Sequence, residues 1–413
     1  MKALLILLAI FYLFSHPVSA ASKNIFGLHL TQTSDLSSAS QIINSSEGDW
    51  GWVTIVIRTD QLDFNTWQNF FDDCRRLHII PIIRLATKME NSYWAKPQTS
   101  DIDNLAEFLN RLNWPSTPRH LIVFNEPNHA SEWGGGVDPK SYADISIYAY
   151  QKFKSLNSDF FLLGPSLDLA SPENPPSFKS AENYYREIFL YRPEYFNQLD
   201  GLSSHSYPNH GFIGSPKDTS LHSIVGYQSE LSYLRQLGVS HTYPVFITET
   251  GWPHRQGEEA DSRFFTAKTS AAYLLEALEI WQSDPAVSAV TPFIYNYPNP
   301  PFDHFSWVDK DQNLYPDYQC LVSRPKLQNH VFQKNQYTLD KIQLPFLIFS
   351  DKEYFGEIRL KNTGQSIWGE TQFCLNPQST QNVTLEAICS NNAFVYPGQV
   401  GTFNFKFKIS SGT

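Results

Sequence analysis

The sequence predicts an α/β fold, a (β/α)8 TIM barrel followed by a small β-sandwich. Short apolar runs recur eight times between residues 24 and 297, helical patterns separate these runs, and a strand-rich region follows residue 328. Continuous apolar runs are typical of parallel strands buried on both faces. Eight such strands with helices between them close most economically into a barrel. A doubly wound open sheet is the alternative, although residues 28–32 after the first run lack a glycine-rich phosphate loop.

The elements are justified in chain order by apolar runs and by helix signals. The eight predicted strands are 24–30, 52–58, 79–86, 120–126, 160–166, 202–207, 245–249 and 290–297. Between them, residues 65–71 place aromatic rings on one helical face, and residues 261–281 form a long amphipathic stretch. Asp138 followed by Pro139 resembles a helix N-cap with proline at the first helical position.

The barrel pattern stops near Gln328, so we expect a barrel at 21–328, a connector at 329–350 and a β-sandwich module at 351–413. Residues 402–409 alternate between apolar and polar side chains, as a strand with one buried face does. The stretch 361–368, with a Pro-Gly turn at 397–398, resembles the immunoglobulin-like modules at the ends of many surface and secreted proteins. We expect the module to be incomplete, lacking a final strand.

The composition of the chain limits the kinds of molecule that it is expected to bind. The chain of 413 residues is 41% hydrophobic, 15% aromatic and only 17% charged, which suits a neutral ligand that stacks on rings, such as a sugar. The formal net charge of -10 argues against nucleic acid and anionic membrane surfaces as partners. No segment after the N-terminal region is predicted to span a membrane.

The first 20 residues predict a secretory signal peptide. Lys2 supplies a positive charge, residues 3–14 are apolar but short for a bilayer, and Val-Ser-Ala at 18–20 predicts cleavage after Ala20. An uncleaved membrane anchor is the alternative. The chain is therefore expected to be secreted or extracellular, with attachment to a cell surface left open.

Four cysteines fit an oxidising compartment. Cys374 and Cys389 lie close together in the C-terminal region and could form a disulfide, whereas Cys74 and Cys320 are a less suitable pair. The cysteine and histidine spacings do not resemble a zinc site, so neither a metal nor a cofactor is expected.

Two glutamates each follow an apolar strand. Glu126 lies in the motif Asn-Glu-Pro-Asn at 125–128, and Glu249 lies in Thr-Glu-Thr-Gly-Trp-Pro at 248–253. A carboxylate directly after a buried strand is costly unless it faces a polar cleft. The active sites of such barrels lie at the carboxyl ends of the strands, here strands four and seven. The alternative is that both glutamates only cap strands or form salt bridges.

This pair resembles the catalytic pair of the clan A glycoside hydrolases, or 4/7 superfamily, over most of residues 24–328. Asn-Glu-Pro-Asn, with Gly-Pro-Ser at 164–166, is similar to the β-xylosidase and iduronidase branch, and 249–253 is similar to the β-1,3-glucanase branch. The resemblance implies a monomeric retaining hydrolase that cleaves β-glycosidic bonds of a neutral oligo- or polysaccharide. Glu249 would attack the anomeric carbon, and Glu126 would be the acid and base.

The resemblance also implies supporting residues. Asn125 would bind the sugar 2-hydroxyl, and Arg58 at the end of strand two would hold the nucleophile. His205 and Tyr207 alternate on strand six and point to one face, so Tyr207 would donate to Glu249 and His205 would line the cleft.

Aromatic platforms are expected around the cleft. Many clan members place a tryptophan at the end of strand eight, where this chain has Tyr295 and Tyr297, with Trp307 further on. The predicted loop platforms are Trp133, Trp252 and Trp94. Arg84 and His129 are weaker candidates for the site. The simpler interpretation is that both have a structural role.

Other classes of function stay open from the sequence. The main alternative is a non-catalytic carbohydrate-binding protein on a glycosidase-like barrel. A structural cell-surface protein is supported only by the C-terminal module, and a metal-dependent barrel enzyme lacks a visible ligand cluster. The presence of both glutamates favours catalysis, because a binding protein has no need of a proton donor.

Overall fold

The computed structural model describes residues 23–369, 374–375, 383–385, 388–389 and 394–410. The predicted signal segment 1–20 lies outside the described residues. Within them, eight parallel strands form one sheet in sequence order, with helices between them, which confirms the predicted (β/α)8 class. The strands are β1 (Gly27–Leu30), β2 (Gly51–Arg58), β3 (Ile79–Ala86), β4 (Arg119–Ile122), β5 (Phe160–Asp168), β6 (Gly201–His205), β7 (Val245–Ile247) and β8 (Val287–Val290).

The first and last strands meet, so the sheet is a nearly closed barrel. A parallel bridge joins Phe26 to Val290, and the Val290 N–H donates to the Ile25 carbonyl at 2.7 Å. A doubly wound sheet would leave both edge strands unpaired, and this contact therefore rules that alternative out.

Nine α-helices lie between and after the strands in the described part of the chain. They are α1 (Leu36–Ile43), α2 (Phe64–Arg76), α3 (Thr99–Arg111), α4 (Pro139–Leu156), α5 (Ala181–Tyr191), α6 (Tyr195–Gln198), α7 (Gly226–Leu237), α8 (Ala267–Ser283) and α9 (Gln319–Ser323). The Asp138 side chain caps α4 by accepting from the Ser141 N–H, as predicted. The predicted start of α8 at residue 261 is wrong, because Thr266 caps this helix.

Three predicted strands are too long at their carboxyl ends. β4, β6 and β7 end at Ile122, His205 and Ile247, so both glutamates lie in the turns that follow. In the turn after β4, Phe124 and Glu126 have φ angles of 64° and 30°, which an extended strand does not allow. The prediction for strand eight is also shifted, since β8 covers Val287–Val290 and residues 291–297 form the loop after it.

The barrel interior changes from apolar to polar along the strands. Its lower part holds a cluster of large apolar side chains, among them Trp52, Ile82 and Phe246. Hydroxyl groups follow one layer above, where Thr54 and Thr291 lie 2.8 Å apart and Ser203 and Thr248 lie 2.7 Å apart. Because these hydroxyls satisfy one another, the interior can become polar below the strand ends without unpaired groups.

The C-terminal region forms antiparallel sheets. Its described strands are β9 (Tyr337–Gln343), β10 (Glu353–Asn362), β11 (Cys374–Leu375), β12 (Val383–Leu385), β13 (Ile388–Cys389) and β14 (Val400–Ile409). One sheet has the order β9-β10-β14-β12, and β11 pairs with β13. The alternating stretch 402–409 lies in β14, as predicted. β9 lies within residues 329–350, which were predicted to be a connector, and it pairs with β10.

The cysteines are paired as the spacing indicated. Cys374 and Cys389 form a disulfide between β11 and β13. Cys74 and Cys320 are free thiols in the described part of the chain.

The C-terminal region contacts the barrel at its amino-terminal end. The buried Gln365 side chain donates to the carbonyls of Trp114 and Ser116, directly before β4. The guanidinium of the buried Arg75 in turn donates to the Gln365 carbonyl at 2.5 Å. This contact lies at the opposite end of the barrel from Glu126 and Glu249. Among the described helices, none has the length and apolar character needed to cross a membrane.

Candidate active site

Glu126 and Glu249 converge at the carboxyl ends of β4 and β7. One oxygen of each carboxyl group and one ring nitrogen of His205 all lie within 4.8 Å of one another. Two carboxyl groups separated by about 5 Å match the spacing for double displacement, whereas inverting hydrolysis needs a wider gap for water.

Glu249 is buried, accepts hydrogen bonds from two side chains and has the ring of His29 nearby. Arg84 Nη1 donates to Oε1 at 3.0 Å, the Tyr207 hydroxyl donates to Oε2 at 3.3 Å, and His29 Nε2 lies 3.6 Å from Oε1. Burial alone would raise the pKa of this carboxyl group. The charges of His205 and Arg84 and the Tyr207 hydrogen bond outweigh burial and hold the pKa of Glu249 below its usual value. Glu249 is therefore suited to remain ionised.

Glu126 is paired with a histidine from β6. His205 Nδ1 lies 2.7 Å from Glu126 Oε1 and 3.8 Å from Glu249 Oε2. Burial lowers the pKa of His205, but the charge of Glu249 and the hydrogen bond to Glu126 raise it above its ordinary value. His205 is thus suited to hold a proton between Glu126 and the ionised Glu249.

The prediction that Arg58 holds Glu249 is wrong, and Arg84 takes that position. Arg58 instead donates to both carboxylate oxygens of Asp60 and lies over the ring of Trp94 at 5.8 Å. The register of β2 and β3 explains the difference, because Arg58 lies level with Ala86, two residues above Arg84. Two residues of strand correspond to roughly 7 Å, which carries Arg58 past the layer of Glu249 to the rim.

Three predicted tryptophan platforms are wrong because their side chains are buried. Trp133, Trp252 and Trp307 are only 1%, 3% and 2% exposed. The indole N–H of Trp133 donates to Ser141 Oγ, and that of Trp252 donates to the Gly214 carbonyl. These rings stabilise the loops and the core and do not line the cleft.

The loop after β8 presents a different ring. The predicted Tyr295 is buried, and its backbone N–H donates to the His29 carbonyl. Phe293 is partly exposed, meets the His29 ring edge-on at 5.3 Å, and donates its N–H to the Thr250 carbonyl. Phe293 therefore lies next to the Glu249 turn, where a platform for a sugar ring belongs.

Asn125 and Trp94 remain at the cleft. Asn125 and Trp94 line a narrow cavity together with Arg84 and Glu132. The Asn125 Oδ1 atom is buried and has no hydrogen-bond partner among the described residues. An unpaired buried acceptor next to a cavity can take a donor from a ligand or from a neighbouring side chain.

Sequence reasoning missed His29 and Phe293 and ranked Arg84 too low. His29 lies inside an apolar strand, and burial lowers its pKa to about 3, so it is neutral near pH 7. An ionisable residue in a buried strand was the available signal for His29 and Arg84. His129, the other weaker candidate, binds Asp168 at 2.8 Å and supports the loop after Glu126.

The same three groups could in principle bind a metal ion, since Glu126, His205 and Glu249 each offer one ligand atom. However, the Arg84 guanidinium already binds Glu249 at 3.0 Å, and its positive charge would repel a cation at that oxygen. The donor set is better matched to proton transfer.

The chain has the same (β/α)8 barrel fold as several solved glycoside hydrolases. No family model and no curated protein sequence matches the chain. A β-xylosidase from Caulobacter crescentus CB15 is similar in structure, with a TM-score of 0.53 and 14% identity over 86% of this chain and 75% of that one.

Two other solved structures are similar over nearly the whole chain. A family 39 glycoside hydrolase from Bacteroides cellulosilyticus WH2 has a TM-score of 0.50 and 13% identity, covering 95% of this chain and 82% of that one. A glucosidase from Croceicoccus marinus has a TM-score of 0.53 and 10% identity, covering 94% and 97%. At such low identity these similarities establish the fold.

Proposed function

We propose that this protein is a retaining glycoside hydrolase that cleaves β-glycosidic bonds of a neutral oligo- or polysaccharide. The observation that carries the proposal is the separation of Glu126 and Glu249, whose oxygens lie within 4.8 Å of each other. The names of the structural neighbours, a β-xylosidase and a glucosidase among them, support the same class of substrate.

In the first step Glu249 attacks the anomeric carbon while Glu126 transfers a proton to the leaving oxygen, giving a covalent glycosyl-enzyme. In the second step Glu126 takes a proton from water, which attacks the same carbon. Arg84 and Tyr207 keep Glu249 ionised and oriented. His205 accepts or donates a hydrogen bond as Glu126 changes its protonation state.

A non-catalytic sugar-binding protein is the second candidate. Such a protein would need polar groups that bind the hydroxyls of a sugar. It would not need Glu126 and His205 next to the buried carboxylate of Glu249. Keeping Glu249 buried beside Glu126 is costly unless the charge is used, which favours catalysis.

We expect the first-formed product to keep the anomeric configuration of the substrate. The gap between the carboxyl groups leaves no room for water between sugar and base, so substitution must occur twice at the same carbon. Proton NMR of the anomeric signals during hydrolysis of an aryl β-glycoside measures this directly. An α-anomer formed first would show that Glu249 is not the nucleophile.

Replacing Arg84 by methionine is expected to lower kcat/KM on the order of 10²-fold, because the nucleophile loses a fixed charge partner. Loss of the positive charge should also raise the pKa of Glu249. Since Glu249 must be ionised, the acidic limb of the pH profile of kcat/KM should then move to higher pH.

The matched control is Arg58→Met, which removes the same charge two residues higher in the register. Its activity and acidic limb should stay close to those of the wild type. A large loss in Arg58→Met with a normal Arg84→Met protein would reverse the assignment made from the hydrogen bonds.

We also propose that the protein is secreted. The signal-like residues 1–20 and the disulfide between Cys374 and Cys389 support this proposal, because such bonds persist in oxidising compartments.

A further inference from the structure

Glu132 is a further carboxyl group beside the proposed catalytic pair, and the proposed mechanism does not use it. It ends a short 3-10 helix, Ala130–Glu132, that follows the Glu126 turn. The next residue, Trp133, is buried, packs on Phe124 and donates to Ser141 Oγ at 2.8 Å. The backbone at Glu132 is therefore held in place, and its partly buried side chain lines the narrow cavity with Asn125 and Arg84.

The charged and titratable groups around Glu132 are Arg84 on β3, Glu126 and His129 in the loop after β4, and Glu249 after β7. The pKa of Glu132 is raised to about 7, mainly by burial and also by the charges of Glu126 and Glu249, while the charge of Arg84 and the hydrogen bond with the Asn125 amide oppose the rise. Both protonation states of Glu132 are therefore populated near neutral pH.

An asparagine amide next to a carboxyl group can be paired in two ways. A protonated carboxyl group donates its O–H to Oδ1, whereas a carboxylate accepts from Nδ2. In the first case Nδ2 is free to donate to a ligand, and in the second case Oδ1 faces the ligand as an acceptor. The Asn125 Oδ1 atom is the buried acceptor that lacks a partner among the described residues, so protonated Glu132 would satisfy it.

We propose that Glu132 is a positioning residue whose protonation state selects which end of the Asn125 amide faces the substrate 2-hydroxyl. Protonated Glu132 presents the Nδ2 donor, and ionised Glu132 withdraws it. This inference rests on the proposed glycosidase function, because it assigns Asn125 to a sugar hydroxyl. Glu132 acts through Asn125 and does not itself touch the reacting atoms.

The test compares two substrates, an aryl β-glycoside that the wild type hydrolyses and its 2-deoxy counterpart. The quantity measured is the ratio of their kcat/KM values at pH 6 and pH 8. Because both substrates depend equally on Glu126, His205 and Glu249, the titration of these groups cancels in the ratio. With a pKa of about 7, Glu132 changes from about 90% to about 10% protonated, so the wild-type ratio should fall roughly tenfold.

Two variants distinguish the effect of protonated Glu132 from that of ionised Glu132. Glu132→Gln can pair with the Asn125 amide but does not titrate, so its ratio should not change with pH. Glu132→Ala cannot pair with Asn125, so its ratio should be low and independent of pH. A merely structural role would lower kcat/KM for both substrates alike and leave the ratio unchanged. Should Glu132→Ala not fold, the wild-type and Glu132→Gln profiles still decide the question.

A wild-type ratio that does not change with pH would overturn the role of Glu132, and so would a Glu132→Gln ratio that still falls. After either result the proposed glycosidase function would still hold, provided that the product keeps the anomeric configuration of the substrate. If the wild type hydrolyses neither these glycosides nor any polysaccharide of a broad panel, both proposals fail together.

Discussion

Replacing Glu249 by alanine is expected to abolish hydrolysis of every β-glycoside, with a loss of kcat on the order of 10⁵ to 10⁶-fold. Without this carboxylate no glycosyl-enzyme can form, whatever the leaving group. Arg84 and Tyr207 lose their shared acceptor, so the remaining site also becomes more positive. The measurement is the rate on a dinitrophenyl glycoside and on a less activated aryl glycoside.

Added azide gives this variant a distinct signature. The space left by the carboxylate admits the small anion, which can attack the anomeric carbon directly and yield the glycosyl azide of opposite configuration. A matched control is Glu107→Ala, which removes an exposed glutamate on the surface of α3 and should leave the rate unchanged. Full activity of a folded Glu249→Ala protein would end the glycosidase interpretation.

Replacing Glu126 by alanine is expected to slow hydrolysis of substrates with poor leaving groups by about 10² to 10⁴-fold. For a dinitrophenolate, which leaves without a proton, formation of the glycosyl-enzyme should be nearly unaffected, and the intermediate should accumulate because no base activates water. The measurement is the dependence of kcat/KM on the pKa of the leaving group, which should become much steeper than in the wild type.

Added azide also distinguishes the role of Glu126 from that of Glu249. With Glu126→Ala it replaces water on the glycosyl-enzyme, so the glycosyl azide should keep the original configuration. Glu126→Gln is a closer match in shape, keeps a contact to His205 and should show the same leaving-group dependence. If the azide products of the Glu126 and Glu249 variants are exchanged, the two roles have been assigned in the wrong order.

The pair of glutamates could be found in the sequence because each follows an apolar run that must be buried. An ionisable side chain directly after such a run is costly unless it faces a polar site, and this signal is local. The strands in the structure are shorter than predicted, since Glu126 lies four residues after the end of β4, in a turn where Phe124 and Glu126 have positive φ. The positions of both residues at the barrel mouth nevertheless agree with the prediction.

The arginine partner could not be chosen from the sequence. Arg58 and Arg84 both lie near the carboxyl ends of neighbouring strands, and both face inward by alternation. Only the register between β2 and β3 places Arg84 level with Val56 and Arg58 two residues higher, level with Ala86. Register depends on pairing between strands that are distant in sequence, so neither residue carries a local mark of its height in the barrel.

The roles of the aromatic residues also depend on tertiary packing and could not be chosen from the sequence. Trp133 and Trp252 follow predicted strand ends and resemble platforms in the sequence, but each finds a buried hydrogen-bond partner in a neighbouring segment. Phe293 has no local signal that separates it from the many other rings in the chain. Burial of a ring depends on how loops from different strands pack together, which is a property of the assembled barrel.

The sequence by itself determined the alternating α/β class, the barrel, the strand-rich C-terminal region, the Cys374–Cys389 pair and the two glutamates. These follow from periodicity, turn signals and the cost of burying charge, all of which act over a few neighbouring residues. Only the tertiary structure decided that Arg84 and His29 meet Glu249, and that Glu132 faces Asn125. Those contacts join separate strands and loops, so they exist only once the register and closure of the barrel bring them together.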